Sequence, residues 1–196
     1  MSVINNDREL RPEIMRKGIH SLIAFVPSLA ALDLSHTVLL LMCGILFYTG
    51  IESLRFLGFS LPVFSSLTGA VLRKKEQGRF ALAPVTLGLG ALLALLFFPP
   101  LPAAAAIYAL AFGDSASLLI GKFLGRIRPA FLRGKSLEGV IACFIAATLC
   151  TYLVFHDWKT ALAVGFVSLF SDALPLKEFD NLVLPMAAGL TALVFA

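Results

Sequence analysis

Residues 112 to 139 read FGDSASLLIGKFLGRIRPAFLRGKSLEG, and they hold the densest collection of reactive side chains in the chain. Asp114 is followed at helical spacing by Ser117, Gly121 and Gly125, and then by Lys122, Arg126, Arg128, Arg133 and Lys135. A carboxylate for Mg²⁺, a stripe without bulky side chains and surrounding cations are what a nucleoside triphosphate requires. Gly134, Lys135 and Ser136 also look like the end of a phosphate-binding loop, but Pro129 stands where that loop needs its first glycine. Proline offers no N–H and cannot take positive φ, and no strand-turn-helix pattern flanks the segment. Any phosphate chemistry at Lys135 therefore belongs to a different architecture.

The composition says which. Of the 196 residues 59% are hydrophobic and 14% charged, and the mean hydropathy is +0.91. Soluble domains use about 45–50% apolar and about 25% charged residues, so a soluble fold is excluded. Apolar runs near 18 to 34, 36 to 55, 80 to 98, 102 to 120, 137 to 155, 159 to 176 and 182 to 196 predict an all-α bundle of about seven membrane spans. Residues 58 to 72 are apolar but short, contain Pro62, and are predicted to be interfacial or re-entrant. Cys43, Cys143 and Cys150 sit in apolar runs without metal or disulfide spacing. The chain is expected to form one integral-membrane catalytic domain over residues 1 to 196.

Basic residues cluster at 8 to 17, 73 to 79 and 122 to 135, whereas the turns DLSH, FPPLP and HDW hold none. The positive-inside bias then puts the N-terminus in the cytoplasm, with cytoplasmic loops at 73 to 79, 121 to 136 and 177 to 181. This topology carries Arg16, Lys17, His20, Glu52, Arg55, Glu76, Arg79, Asp114, Lys122, Lys135, Glu138, Asp172, Asp180 and Asn181 to the cytoplasmic ends of spans. Asp114 would lie about seven residues inside its span, roughly 10 Å deep, where an unpaired carboxylate is unfavourable. A one-sided collection of ionisable groups in a membrane protein is a site hypothesis. Simpler readings stand beside it: Gly121 and Gly125 as a helix-packing seam, Glu52 with Arg55 as a structural i, i+3 pair, and His20 as an interfacial histidine.

Taken in order, RKGIH (Arg16, Lys17, His20), GDSASLLIGKFLG (Gly113, Asp114, Gly121, Lys122, Gly125), GKSLEG (Gly134, Lys135, Ser136, Glu138, Gly139) and DALPLKEFDNLVLP (Asp172, Asp180, Asn181) resemble the CTP-dependent lipid kinases. That family includes dolichol, phytol and other polyprenol kinases and the yeast-type diacylglycerol kinase. The phosphatidate cytidylyltransferases are distantly similar, but they usually carry Ser-Pro-Lys-Lys-Thr where this chain has Leu132, Arg133, Gly134, Lys135 and Ser136.

The resemblance implies transfer of the γ-phosphate of CTP to the hydroxyl of a membrane lipid alcohol, with Mg²⁺ held by Asp114. It implies that Lys122, Arg126 and Lys135 bind phosphate oxygens, and that Glu138 orders the Gly-Lys-Ser turn or completes the metal shell. Asp172 or Asp180 would be the base, with Asn181 beside it. Arg16, Lys17, Gly113, Gly121, Gly125, Gly134, Ser136 and Gly139 would shape the nucleotide site, supported by His20, Glu52, Arg55, Glu76 and Arg79. The expected acceptor is a prenol, ahead of diacylglycerol. The alternatives are a cytidylyltransferase-like enzyme and a transporter or non-catalytic membrane protein. Asp172 departs from the family, which often has Glu there, so its charge is kept and its reach is shorter. Nucleic acid is not an expected partner, and oligomeric state is not legible.

Overall fold

A short 3₁₀ turn, Leu22–Phe25, leads into helix α1, Val26–Leu32, and the chain continues as α2, Leu34–Phe56; α3, Ala83–Phe97; α4, Pro100–Tyr108; α5, Asp114–Phe123; α6, Leu137–Phe155; α7, Trp158–Ala173; and α8, Asp180–Phe195. A π-helical turn, Ala109–Gly113, joins α4 to α5 without a break. The computed structural model describes residues 18, 20–59, 80–132, 134–174, 176 and 179–196. There is no strand among them.

The helices start where the sequence supplies starts. Asp33, Ser136 and Asp157 each turn a side-chain oxygen onto the N–H three residues on, at 2.9, 3.1 and 2.8 Å, and so cap α2, α6 and α7. Pro84 and Pro100 occupy first-turn positions of α3 and α4, where a missing N–H leaves no bond unmade. His156 ends α6 in the left-handed region, at φ 54°.

The helices match the seven expected runs in place, but not all match in length. Leu34–Phe56, Pro100–Phe123 and Leu137–Phe155 are long and apolar enough to cross a membrane; Leu22–Leu32, Ala83–Phe97 and Asp180–Phe195 are apolar but shorter. Among the described residues there are thus seven helices, with α4 to α5 counted as the single stretch Pro100–Phe123, and three of them have spanning length.

Helix α4 and the π turn form the centre. Ala105, Ala106, Ile107, Ala109, Leu110 and Ala111 are completely buried. Their small side chains let α6, α8 and α1 approach closely, which is how apolar helices associate where hydrophobic burial gives no drive between them. Helix α8 is wedged among α7, α3 and α4, and α6 packs on α5 and α7. By contrast α2 turns Leu39, Leu40, Leu46 and Phe47 outward and is almost wholly unburied. Polar residues concentrate where α2 ends, α3 begins, α5 ends, α6 begins, α7 ends and α8 begins, which is one end of the bundle.

Candidate functional site

Lys135 lies just before α6, and its chain direction is set by Gly134. At φ +102° that residue occupies the left-handed region that favours glycine, and the turn is closed by the Lys135 N–H donating to Leu132 O at 3.1 Å. Ser136 follows as the cap of α6. The turn sends the ammonium into the protein. There Nζ lies 3.0 Å from Oδ1 of Asp172 and 3.0 Å from Oδ2 of Asp180, and it also donates to the backbone carbonyl of Asp172. Burial disfavours the ammonium, but Asp172 and Asp180 outweigh that and hold its pKa above the ordinary lysine value.

The two carboxylates differ. Asp172 is 1% exposed and both of its oxygens are engaged, because Oδ2 accepts from Ser117 Oγ at 2.6 Å. Asp180 opens α8, its side chain is 13% exposed, and its Oδ1 is buried without a hydrogen-bond partner. An orphaned carboxylate oxygen beside an ammonium is an acceptor waiting for a proton or a cation.

Asp114 is the second centre. His20 Nε2 lies 3.2 Å from its Oδ2 and 3.3 Å from the carbonyl of Leu110. Both partners are acceptors, so this nitrogen carries the hydrogen. The Leu110 carbonyl belongs to the π turn, a helix irregularity often found at functional sites. Asp114 is near enough for its charge to act on both Asp172 and Asp180.

No family model and no solved structure matches the chain. Among curated proteins it is similar to CTP-dependent diacylglycerol kinase 1 of Eremothecium gossypii, at 30% identity with 91% of this chain and 65% of that protein aligned. It is 24% identical to CTP-dependent diacylglycerol kinase 1 of Schizosaccharomyces pombe, over 67% of this chain and 69% of that protein. An uncharacterized protein of Methanocaldococcus jannaschii is 30% identical, over 65% and 64% respectively. These similarities support a place among the CTP-dependent lipid kinases. It spans about two thirds of the length of these relatives.

The expected site residues sort into those the fold brings together and those it does not. Lys135, Asp172 and Asp180 meet, and Asp114 stands beside them with His20. The expected open groove along Ser117, Gly121 and Gly125 is corrected. Helix α5 ends at Phe123, so Gly125 has left it, and the glycines form the contact with α6. A Cβ on Gly139 would lie 2.5 Å from the Ser117 carbonyl, and one on Gly121 would lie 2.8 Å from Ser136 Oγ. The space is filled by protein, and the packing reading of these glycines holds. Gly113 faces Cys143 in the same way, 3.1 Å from its sulfur for a built Cβ.

Glu138 does not hold the Gly-Lys-Ser turn. Its carboxylate accepts the N–H groups of Arg126 and Ile127, at 2.9 and 3.1 Å, and so pins the segment after α5 to the start of α6. Arg128 completes the fastening by donating to Gly134 O at 2.7 Å and Gly121 O at 3.0 Å. Lys122 sits on the last turn of α5, and Arg126 is exposed beyond it.

Glu52 and Arg55 form a two-bonded pair at 2.8 and 2.6 Å, but the pair also has a long-range task. Glu52 accepts the N–H of Ala81 at 2.7 Å while Tyr48 donates to the Ala81 carbonyl at 3.4 Å, fixing the chain just before α3. Asn181 gives its amide to Thr86 Oγ1 at 3.1 Å and Ala83 O at 3.3 Å, which fastens α8 to α3 instead of pointing at Asp180. Arg16, Lys17, Glu76, Arg79 and Arg133 lie outside the described residues, as do residues 60–79 of the expected interfacial segment and loop.

Sequence reasoning missed Ser117 as the partner of Asp172, Arg128 as a loop fastener and Thr86 as the partner of Asn181. The Ser117 and Asn181 pairings span 55 and 95 residues, and the Arg128 contacts cross a loop, so none has a helical-spacing signature. Only the place of Ser117, three residues after Asp114 on the same helix, hinted at it.

Proposed function

We propose that this chain, as a single integral-membrane catalytic domain, transfers the γ-phosphate of CTP to the hydroxyl of a membrane-embedded lipid alcohol on the cytoplasmic side. The observation that carries this reading is the unpartnered, buried Oδ1 of Asp180 beside Lys135 and within range of Asp114, in a chain akin to CTP-dependent kinases. Similarity to two diacylglycerol kinases moves the first candidate acceptor from a prenol such as dolichol or phytol to diacylglycerol.

Phosphoryl transfer demands positioning and charge neutralisation more than covalent chemistry. In this reading Asp180 Oδ1 accepts the hydroxyl proton as the lipid oxygen bonds to the γ-phosphorus. The bond from that phosphorus to the bridging oxygen breaks, and CDP leaves. Asp172 is too fully engaged to serve as the base, which separates the two carboxylates that sequence left equivalent.

Among the described residues no group of three His, Cys, Asp or Glu side chains forms a protein cage for a metal. Mg²⁺ is typically held by one or two carboxylates together with substrate phosphates and water, so a 17% exposed Asp114 fits that pattern. Asp114 is the residue that would hold Mg²⁺, whose role in such a site is to neutralise charge on the triphosphate oxygens. His20 would keep its carboxylate oriented, and Lys122 and Arg126 at the α5 end would be the cations that meet phosphate.

The test uses purified full-length protein with CTP labelled at either the α or the γ position, Mg²⁺, and vesicles containing diacylglycerol, phytol, dolichol or phosphatidate. Label from the γ position should enter the alcohol with release of CDP, and α label should not. Formation of a CDP-lipid from phosphatidate with release of pyrophosphate would make the chain a cytidylyltransferase instead.

A further inference from the structure

The family resemblance hands Lys135 to the nucleotide, but the fold uses it elsewhere. An ammonium has three N–H donors and no acceptor. All three are engaged in this structure: by the Asp172 carbonyl, by Asp172 Oδ1 and by Asp180 Oδ2. Moving Nζ to a phosphate oxygen would strip the partner from a carboxylate that is 1% exposed, and a buried charge left unpaired is strongly unfavourable. The backbone is also committed to this geometry. Gly134 turns the chain, Ser136 caps α6, Arg128 ties Gly134 to Gly121, and Ser117 fixes the far oxygen of Asp172.

We infer that Lys135 is a positioning residue, which holds Asp172 and Asp180 so that Oδ1 of Asp180 faces the acceptor hydroxyl, and that phosphate binding is left to other cations. This deepens the kinase reading and rests on it for its kinetic arm only. Asp172 then acts as the rigid counter-ion that keeps the ammonium from following the triphosphate.

Two readouts test this in the full-length protein. The first is labelling by dicyclohexylcarbodiimide, which attacks protonated carboxyl groups in apolar surroundings and is located by mass spectrometry. In the wild-type chain Asp172 and Asp180 should resist it, with or without CTP and Mg²⁺. In Lys135→Met, Asp180 should become reactive. Should that variant fail to insert, Lys135→Met combined with Asp172→Asn restores the balance of buried charge, and Asp180 should label there. Unchanged resistance in either variant overturns the inference. So does exposure of Asp180 in the wild-type chain on adding CTP, since that would show Lys135 leaving for the phosphate.

The second readout is the split between kcat and KM. Lys135→Met should lower kcat by about 100-fold or more while KM for CTP stays within about threefold, the pattern of lost positioning. A rise of about tenfold or more in KM for CTP with kcat retained would make Lys135 a nucleotide ligand. Carbodiimide labelling needs no turnover, so a chain that labels as expected but phosphorylates no lipid refutes the kinase reading and leaves the positioning role standing.

Discussion

Ser117 Oγ donates to Asp172 Oδ2 at 2.6 Å and so joins α5 to α7 across 55 residues of sequence. Neither residue has water to fall back on, for both are buried. Ser117→Ala leaves a carboxylate oxygen unsatisfied, an effect of about 1–3 kcal/mol. A lowered unfolding temperature in detergent is the expected result. Unchanged stability would mean that the bond is not made in the membrane.

Asp114→Asn keeps the shape of the side chain and removes the charge that a divalent cation needs. The variant should insert and purify normally yet show no turnover. Near-normal activity would take Asp114 out of the site. His20→Ala leaves the carboxylate in place and removes the ring that orients it and reaches the Leu110 carbonyl, so its activity should fall between the two.

Asp180→Asn and Asp172→Asn should separate in kind. Loss of a general base lowers kcat by about 10²–10⁴-fold without unfolding, and this is expected of Asp180→Asn. Asp172→Asn, in contrast, should lower thermal stability as well, because it unbalances the ammonium of Lys135 in a buried place. Equal behaviour of both variants in activity and unfolding would contradict the division of roles.

Two glycine substitutions read the α5–α6 seam. A methyl at Gly139 would press on the Ser117 backbone carbonyl, which cannot move without parting the helices, so Gly139→Ala should destabilise by about 1–3 kcal/mol. Gly134→Ala meets open space and carries only the strain of its positive φ, about 1–2 kcal/mol. The seam variant should also loosen Asp172, and thus lose activity out of proportion to its stability. Comparing turnover at a temperature where both are folded decides this.

Sidedness is open to a direct measurement. In a background without Cys43, Cys143 and Cys150, Glu76→Cys should react with an impermeant maleimide from the cytoplasm and Lys159→Cys from the opposite side. Reaction of both from one side would end the proposal that the carboxylate cluster faces the cytoplasm.

What sequence alone determined is local or compositional. The apolar excess pointed to a helical chain suited to a membrane, and three of its helices are long and apolar enough to cross one. The apolar runs located each helix, because a run of apolar residues is a local signal. Asp114, Lys135, Asp172 and Asp180 could be singled out because ionisable groups at the ends of apolar runs need partners. Which partners they take was decided only by tertiary structure. Lys135 meets Asp172 and Asp180, 37 and 45 residues away; Asn181 turns to α3; and the small-residue stripe closes into a packing seam. An apolar run specifies the solvent a helix prefers, not its neighbour or the register of contact, and a buried charge is matched only when helices dock. Helix length was likewise decided beyond the apolar run, since the run over 18 to 34 breaks at Asp33, where α2 takes its cap, and the run over 80 to 98 yields only Ala83–Phe97.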